Sequence, residues 1–307
     1  MAKDLSKVKK IEIEVFSRCN RKCNWCPNVA FDRFSKDIPM GEECYLNLLN
    51  DLKKANFTGH ISFSRYNEPT QNHVLLKKRI NQARKVFPKG TFSANTNGDY
   101  LRKGWVKGEL LGIEILDGLD LDELHIMDYD CRGIDYGKEL FQRLNITQIP
   151  TKNLPPKYQL KWKLIGKTKD VKLVHFYADW PKHNPIENRG GFFTDLATGK
   201  LKDITANYGD KETRGTILKW KNGGAKRTEP CLLPTINMNI DYDGTVNPCC
   251  HIRTDNPRHK DFHLGNINEE GVNEIYHSKK ATDFRNLLAS GDHKNYPEPC
   301  RLCTKGG

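Results

Sequence analysis

The chain has 307 residues, of which 37% are hydrophobic and 29% are charged. This composition excludes a largely disordered chain and predicts a globular core, in one large domain or in a large and a small one. Fifty Lys and Arg against 38 Asp and Glu give a net charge of +12, spread along the chain. The charge favours an anionic ligand, but we expect no nucleic-acid partner, because neither a basic stripe with aromatics nor a helix-turn-helix or zinc-finger spacing occurs.

No apolar run reaches about 18 residues, and the basic first ten residues precede no long apolar segment. We therefore expect neither a transmembrane helix nor a secretory signal, and we expect a soluble cytoplasmic protein.

Strands and helices are predicted to alternate through the first half of the chain. Apolar and polar residues alternate in strands at 11–16, 61–64, 91–95 and 123–127. Helical spacing occupies 41–55, 74–87 and about 104–116. This order predicts an α/β fold whose parallel sheet gathers the polar residues that follow each strand at one rim. Two further strands, at 158–165 and 171–177, give six in all, too few for a closed eight-stranded barrel.

The last quarter of the chain has a different pattern. Residues 192–230 lack clear periodicity and are predicted to be connecting structure. Strands at 236–240 and 245–246 then flank a turn at 241–244, which predicts a β-hairpin. Helical spacing follows at 272–288.

Ten cysteines in a chain without a predicted export signal do not suit a disulfide framework. Three of them, Cys19, Cys23 and Cys26, lie in the loop after the first predicted strand. Three thiolates on one loop suit three corners of a cubane iron–sulfur cluster and leave the fourth iron open to a ligand. A structural zinc site and a redox thiol pair are the alternatives.

The segment Cys19-Asn20-Arg21-Lys22-Cys23-Asn24-Trp25-Cys26 resembles the CxxxCxxC loop of radical S-adenosylmethionine (SAM) enzymes. The resemblance implies a partial (β/α)6 TIM-like barrel, placed here at residues 1–191. It also implies a [4Fe–4S] cluster that is held by the three cysteines and chelated by SAM at its open iron.

Three further segments resemble SAM-binding motifs of that superfamily. Tyr66-Asn67-Glu68-Pro69 occupies the place of a GGE-like motif after the second strand, which implies cofactor-binding roles for Asn67 and Glu68. Thr96-Asn97-Gly98 resembles a TNG segment near SAM, which implies such roles for Thr96 and Asn97. Asn188-Arg189-Gly190-Gly191 resembles an N-R-x-G segment, so Arg189 is a candidate for the SAM carboxylate or a polar substrate, with a plain surface loop as the alternative.

Four cysteines in the last quarter have the number of ligands that a second, fully ligated cluster needs: Cys231, Cys249, Cys300 and Cys303. Their layout resembles the Twitch module, a shortened relative of the SPASM domain with one auxiliary [4Fe–4S] cluster, placed here at 231–307. A structural zinc with the same ligands is the alternative. Cys250 adjoins Cys249 and is the alternative ligand at that position.

The other cysteines and two histidines have individual interpretations. Cys44 lies in a predicted helix and is expected to pack as a small hydrophobe. Cys131 follows the fourth strand, where packing and a catalytic, substrate-facing role are both open. His125 and His175 lie in predicted strands whose register decides which way they point.

The resemblance implies an oxidoreductase with two [4Fe–4S] clusters and SAM, dehydrogenating a small polar substrate with a flavodoxin or ferredoxin as electron donor. A peptide-modifying radical SAM maturase is the second hypothesis, although such maturases commonly carry a leader-binding domain and only 18 residues precede Cys19. A non-catalytic iron–sulfur or zinc-binding protein is the third.

Overall fold

The computed structural model describes residues 4–21, 28, 31–102, 111–130, 132–149, 162–177, 192–194, 201–203, 229–297 and 300. The described helices are α1 (Glu42–Lys54), α2 (His73–Val86), α3 (Asp99–Arg102), α4 (Leu111–Leu116), α5 (Gly133–Arg143), α6 (Leu233–Ile236), α7 (Val272–His277) and α8 (Lys279–Ala289). The described strands are β1 (Lys10–Ile13), β2 (His60–Ser62), β3 (Thr91–Thr96), β4 (Glu123–Asp128), β5 (Thr147–Ile149), β6 (Trp162–Lys167), β7 (Lys172–Tyr177), β8 (Phe192–Thr194), β9 (Leu201–Asp203), β10 (Asn237–Ile240), β11 (Thr245–Asn247) and β12 (Gly265–Asn266). None of the helices in these segments is long and apolar enough to cross a membrane.

A ten-stranded sheet lies at the centre of a mixed α/β fold, with the order β12-β11-β10-β1-β2-β3-β4-β7-β6-β5. Each neighbouring pair from β10 through β1, β2, β3 and β4 to β7 is parallel. The outer strands at both edges are antiparallel. The alternation of strand and helix predicted for the first half of the chain is confirmed, and the carboxyl ends of β1 to β4 lie at one rim.

The strand predicted at 158–165 does not extend the parallel series. It is β6, and it pairs antiparallel with β7 in the register Lys167↔Lys172. Only residues 168–171 separate the two strands, and so short a connection makes a hairpin, since a parallel crossover needs a dozen residues or more. The short strand β5, which the sequence pattern did not indicate, pairs antiparallel with β6.

The two faces of the parallel sheet differ in polarity. One face joins the helices in a single buried core, in which each fully buried aliphatic side chain contributes about 1.5–3 kcal/mol. Its strand members include Ile11, Ile13, Ile61, Phe92, Ala94, Leu124 and Ile126, and its helix members include Leu48, Leu49, Leu76, Ile80, Leu140 and Phe141. The opposite face carries Glu12, Ser62, Ser93, Asn95 and His125 at the alternate positions.

The C-terminal hairpin is part of this sheet. β10 lies parallel to β1, with Ile11 opposite Met238, and β11 returns antiparallel to β10. Gly244 closes the turn with a φ of +86°, and a Cβ there would lie 2.5 Å from Asn268 Nδ2, so the turn requires glycine. The predicted hairpin is confirmed, and its first strand is the direct neighbour of the strand that leads to Cys19.

The helical spacing at 272–288 corresponds to two helices. Ser278 interrupts it with an extended backbone (ψ 156°), and its hydroxyl accepts a hydrogen bond from Ala281 N at 3.1 Å. Serine competes well for such a capping position. The helix therefore ends at His277, and α8 begins anew at Lys279.

Candidate functional site

The loops that follow β1, β2 and β3 are hydrogen-bonded to one another at the rim. Glu68 N donates to Arg18 O at 2.9 Å, which joins the second loop to the first. Asn97 Nδ2 donates to Asn20 Oδ1 at 2.9 Å, which joins the third loop to the first. The segment that enters the cysteine loop therefore contacts both of the other predicted SAM motifs.

Arg21 anchors the cysteine loop to the loops after β3 and β4. Its Nε donates to Asp99 Oδ2 at 2.7 Å, and its Nη1 and Nη2 donate to the Asp130 carboxylate at 2.9 and 2.8 Å. Although burial alone would raise the pKa of Asp99, the Arg21 guanidinium holds that pKa below its ordinary value. Sequence reasoning missed all three residues, although both aspartates closely follow predicted strands, which was a usable signal.

Of the three predicted ligands of the SAM cluster, only Cys19 lies within the described residues. It is partly buried, and its backbone N donates to Arg33 O at 2.9 Å. Cys23 and Cys26 lie outside the described residues. Their ligand roles stay predictions. Arg21, which lies between Cys19 and Cys23 in the sequence, is held by Asp99 and Asp130.

Glu68 is buried, and its carboxylate ties the second and third loops together. Oε1 accepts from Thr70 N at 3.0 Å, from Thr70 Oγ1 at 2.6 Å and from Thr96 Oγ1 at 2.5 Å. Oε2 accepts from Asn97 N at 2.7 Å. Burial raises the pKa of Glu68, and these four donors oppose that rise. Only Oε2 retains clear capacity for a further donor such as an ammonium group, so Glu68 is first of all the residue that positions the rim.

Replacing Glu68 by glutamine is expected to destabilise the chain by about 1–3 kcal/mol, because an amide NH2 would face hydrogen-bond donors in a buried position. Thermal unfolding of the two proteins measures the loss. Glu42→Gln is the matched control, because that carboxylate is exposed at the start of α1 and accepts from Lys78 and Gln82. An unfolding midpoint for Glu68→Gln no lower than that of the control would contradict the positioning role.

The other predicted SAM contacts among the described residues are Thr96, Asn97 and Asn67. They differ in whether their side chains already have hydrogen-bond partners. Thr96 Oγ1 accepts from Gly98 N at 3.0 Å, and Asn97 Oδ1 accepts from Asp99 N at 3.0 Å, so both side chains hold the turn together. Asn67 Oδ1 accepts from Arg65 N at 3.2 Å. Asn67 Nδ2 is buried and has no hydrogen-bond partner within the described residues. A donor in that state suits an acceptor on a bound ligand, such as a carboxylate.

The register of the sheet decides the orientation of the two histidines. His125 lies on the polar face, where Nε2 lies 2.8 Å from Glu123 Oε2 and Nδ1 lies 3.0 Å from Asn95 Oδ1. His175 lies on the opposite face, fully buried against α5, where a Cβ on Gly137 would come within 2.6 Å of its Nδ1. Burial lowers the pKa of His175 to about 4. Of the two, His125 is therefore the one on the polar face.

The ionised Glu123 carboxylate, on the polar face, contributes to the stability of the fold in a pH-dependent way. Partial burial would raise its pKa, but hydrogen bonds from His125 and from Lys172 Nζ, at 2.6 Å, lower it to about 2. A carboxyl group whose pKa is lower in the folded state stabilises the fold above its unfolded pKa of about 4.5, and this contribution declines as the pH falls below that value.

The stability difference between the unmodified chain and Glu123→Gln is therefore expected to be largest near neutral pH and to shrink below about pH 4.5. Thermal unfolding of both proteins at a series of pH values measures it. A difference that stays constant across this range would show that the carboxylate is not held in its ionised form by His125 and Lys172.

The C-terminal cysteines lie in two places within the described residues. Cys231 is buried in a small apolar cluster with Leu288 and Tyr296, and Cys300 packs against that cluster. Cys249 and Cys250 follow β11, and both are partly buried. No three His, Cys, Asp or Glu side chains of the described segments converge on one metal position. Cys303 lies outside these segments, and the ligand set stays a prediction.

Three further predictions concern isolated residues. Cys44 packs in α1 against the main core, and burial raises the pKa of its thiol, as expected for a small hydrophobe. Cys131 and Arg189 lie outside the described residues. The neighbours of Cys131 are described: Asp128, at the end of β4, accepts from Arg132 Nε at 3.0 Å and from Gly133 N at 2.8 Å.

Comparison with known proteins bears on both cysteine groups. Residues 231–304 match the family model of SPASM, an iron-sulfur cluster-binding domain. We refer to the matched residues, 231–304, by the name of that model, as the SPASM domain. Over 304 residues the chain is also 24% identical to the S-adenosyl-L-methionine-dependent 2-deoxy-scyllo-inosamine dehydrogenase of Niallia circulans, covering 95% of this chain and 91% of that enzyme.

Two solved structures share the fold. BtrN in complex with AdoMet and 2-DOIA superposes with a TM-score of 0.59 at 20% identity, covering 97% of this chain and 93% of BtrN. The anSMEcpe protein with bound AdoMet gives a TM-score of 0.50 at 17% identity, covering 97% and 83% of the two chains. The resemblance to radical SAM enzymes with a SPASM-type module is thus confirmed, and β10 of the SPASM domain is the strand beside β1.

Proposed function

We propose that the chain is a radical SAM oxidoreductase that dehydrogenates a small polar substrate. The observation that carries the proposal is the convergence of the Cys19 loop, Glu68 and Asn97 at the carboxyl ends of three neighbouring parallel strands. Such a rim is where α/β folds bind ligands. The finer architecture that we infer is a partial TIM-like barrel, to which residues 1–191 contribute five described parallel strands, with a Twitch-type C-terminal module.

At the rim, the residues present suit the SAM contacts that we propose, and the auxiliary ligands are assigned from their number and from the match to SPASM. Asn67 Nδ2 is a buried donor without a partner among the described residues, and Cys19 at the rim is partly buried. We assign the SAM cluster to Cys19, Cys23 and Cys26. The assigned SAM contacts are Asn67, Glu68, Thr96, Asn97 and Arg189, and the assigned auxiliary ligands are Cys231, Cys249, Cys300 and Cys303.

When bound, the first cluster supplies the electron that cleaves SAM to methionine and a 5′-deoxyadenosyl radical, which removes a hydrogen atom from the substrate. This chain positions the reactants: Glu68 joins two rim loops, and Arg21 anchors the cysteine loop. Oxidation of an alcohol to a ketone then releases one further electron and one proton. A fully cysteine-ligated auxiliary cluster has no open iron for SAM and suits the role of electron acceptor.

The polar face of the sheet supports a small polar substrate. Glu123, His125 and Asn95 form a hydrogen-bonded row there, and the His125 and Glu123 side chains remain 25% and 36% exposed. Such groups match the hydroxyl and amino groups of an aminocyclitol or a sugar. The dehydrogenase relative is named for a substrate of this chemistry, 2-deoxy-scyllo-inosamine. We expect a flavodoxin or ferredoxin as electron donor.

The test is an anaerobic assay of the reconstituted chain with SAM, dithionite and 2-deoxy-scyllo-inosamine, followed by a panel of aminocyclitols and sugars. The expected result is a ketone formed in proportion to 5′-deoxyadenosine. Formation of 5′-deoxyadenosine without a ketone from any member of the panel would contradict dehydrogenation of this substrate class and favour a peptide substrate. No 5′-deoxyadenosine at all would overturn the radical SAM assignment.

A further inference from the structure

A buried tyrosine lies where the first cysteine loop, the loop after β2 and the SPASM domain meet. Tyr66 is only 4% exposed. Three guanidinium groups surround its ring, with the carbon atoms Cζ of Arg253, Arg65 and Arg33 at 4.1, 5.2 and 5.9 Å from the ring centroid. The three arginines come from different parts of the chain: Arg33 lies after β1, Arg65 after β2 and Arg253 after β11. Each of them is buried. We call Tyr66 and these three arginines the Tyr66 layer.

Buried and partly buried carboxylates balance the charge of the Tyr66 layer. Arg33 lies 3.1 Å from Glu14 and 2.6 Å from Asp255. Arg65 lies 2.5 Å from Asp241, and Arg253 Nη2 donates to Asp255 at 2.6 Å. Buried ion pairs add little net stability, since desolvation offsets their attraction, but they tolerate few alternative arrangements. The layer therefore fixes the relative position of the elements that supply it.

Tyr66 contacts both cysteine loops directly. Its hydroxyl donates to the backbone O of Cys250 at 2.5 Å, in the SPASM domain. Its own backbone O accepts from Asn28 Nδ2 at 2.6 Å, two residues beyond Cys26. Arg253 Nη2 also donates to Asn28 Oδ1, at 3.2 Å. A continuous hydrogen-bonded path thus runs from the end of the first cysteine loop through Tyr66 to the residue beside Cys249.

We propose that Tyr66 is a positioning residue for the auxiliary cluster, and that it couples substrate oxidation to the SAM site by holding the Cys249-Cys250 backbone against the rim. This inference rests on the proposed function, in which Cys249 is an auxiliary ligand. The step that depends on Tyr66 is the transfer of one electron from the substrate radical to the oxidised auxiliary cluster, with release of the hydroxyl proton. A displaced cluster would slow this transfer, and the substrate radical would then be reduced back to substrate by one electron from the dithionite of the assay and one proton, so that 5′-deoxyadenosine accumulates without product.

Tyr66→Phe removes the hydroxyl and keeps the ring among the guanidiniums. Tyr45→Phe is the matched control, because Tyr45 is also fully buried, its hydroxyl donates to a backbone carbonyl (Arg79 O, 2.7 Å), and a guanidinium lies 4.9 Å from its ring centroid. Tyr45 lies in α1, among the residues of the main core. The two variants lose the same kind of hydrogen bond, so a difference between them reports on position and not on stability.

The readouts are the electron paramagnetic resonance (EPR) spectrum of the reduced auxiliary cluster and the ratio of product to 5′-deoxyadenosine. For Tyr66→Phe we expect a changed spectrum and a ratio lowered about fivefold, the equivalent of about 1 kcal/mol for one hydrogen bond. For Tyr45→Phe we expect both readouts to match those of the unmodified chain. Identical readouts for the two variants would overturn the inference.

The two proposals fail in different ways in this experiment. If the unmodified chain binds no second cluster or forms no product, the proposed function fails, and the inference fails with it. If the unmodified chain has both and Tyr66→Phe retains its spectrum and ratio, only the coupling role of Tyr66 fails. Thermal unfolding of the two variants checks that they lose similar stability.

Discussion

Replacing Cys19 by alanine is expected to abolish formation of 5′-deoxyadenosine from SAM. Three thiolates leave one iron open for SAM, and a site with two remaining protein ligands cannot hold the cluster in that state. The same loss is expected for Cys23→Ala and Cys26→Ala. The measurement is 5′-deoxyadenosine per chain in the presence of dithionite, after anaerobic reconstitution.

Cys300→Ala is expected to give a different result, because we propose this residue as an auxiliary ligand. SAM cleavage should persist in part while product formation is lost. Cys44→Ala is the matched control, since that thiol packs against the core in α1 and has no assigned ligand role. Full SAM cleavage in Cys19→Ala, or loss of cleavage in Cys44→Ala equal to that in Cys19→Ala, would contradict the assignment.

Arg33→Met is expected to destabilise the chain by about 3–5 kcal/mol, because it leaves the buried carboxylate of Glu14 and the partly buried carboxylate of Asp255 without one of their partners. Only 2% of the Arg33 side chain is exposed, so water cannot replace the lost charge. Thermal unfolding of the anaerobically purified protein measures the loss.

Arg143→Met is the control for this effect. Arg143 pairs with Glu139 on the surface of α5, and its side chain is 50% exposed. Exposed pairs of this kind contribute at most about 1 kcal/mol. Similar unfolding midpoints for the two variants would mean that the ion pairs of Arg33 do not hold the cysteine loop to the SPASM domain.

The parallel strands β1 to β4 could be predicted because each one leaves a local signal. Apolar residues that alternate with polar ones mark a sheet with two different faces, and a polar turn marks each strand's end. The direction of β6 depends on pairing and not on periodicity. The length of segment 168–171, which was available in the sequence, was the feature that decided it.

Part of the candidate site could be predicted because its residues also leave a local signal in the sequence. Asn67, Glu68, Thr96 and Asn97 follow strands within motifs, and the structure brings them to one rim. The Tyr66 layer was missed, because its ion pairs join distant parts of the chain: Arg33 and Asp255 are 222 residues apart. No local pattern indicates such a pair, and only the position of β10 beside β1 brings the two residues together.

The motif and the structure point to different primary roles for Glu68. The motif implies a carboxylate that meets the amino end of SAM. In the structure, four donors from the rim already occupy that carboxylate. Burial and the hydrogen bonds that the carboxylate accepts are properties of the folded state, so the sequence could identify the residue but not its first task.

The central claim is that one chain holds a SAM-cleaving cluster and a second, cysteine-ligated cluster. The most direct measurement is iron and labile sulfide per chain after anaerobic reconstitution, together with 5′-deoxyadenosine formed from SAM. We predict about eight iron and about eight sulfide, as two cubane clusters require, with SAM cleavage. About four iron with one zinc would contradict the auxiliary redox role, and the absence of SAM cleavage would contradict the claim as a whole.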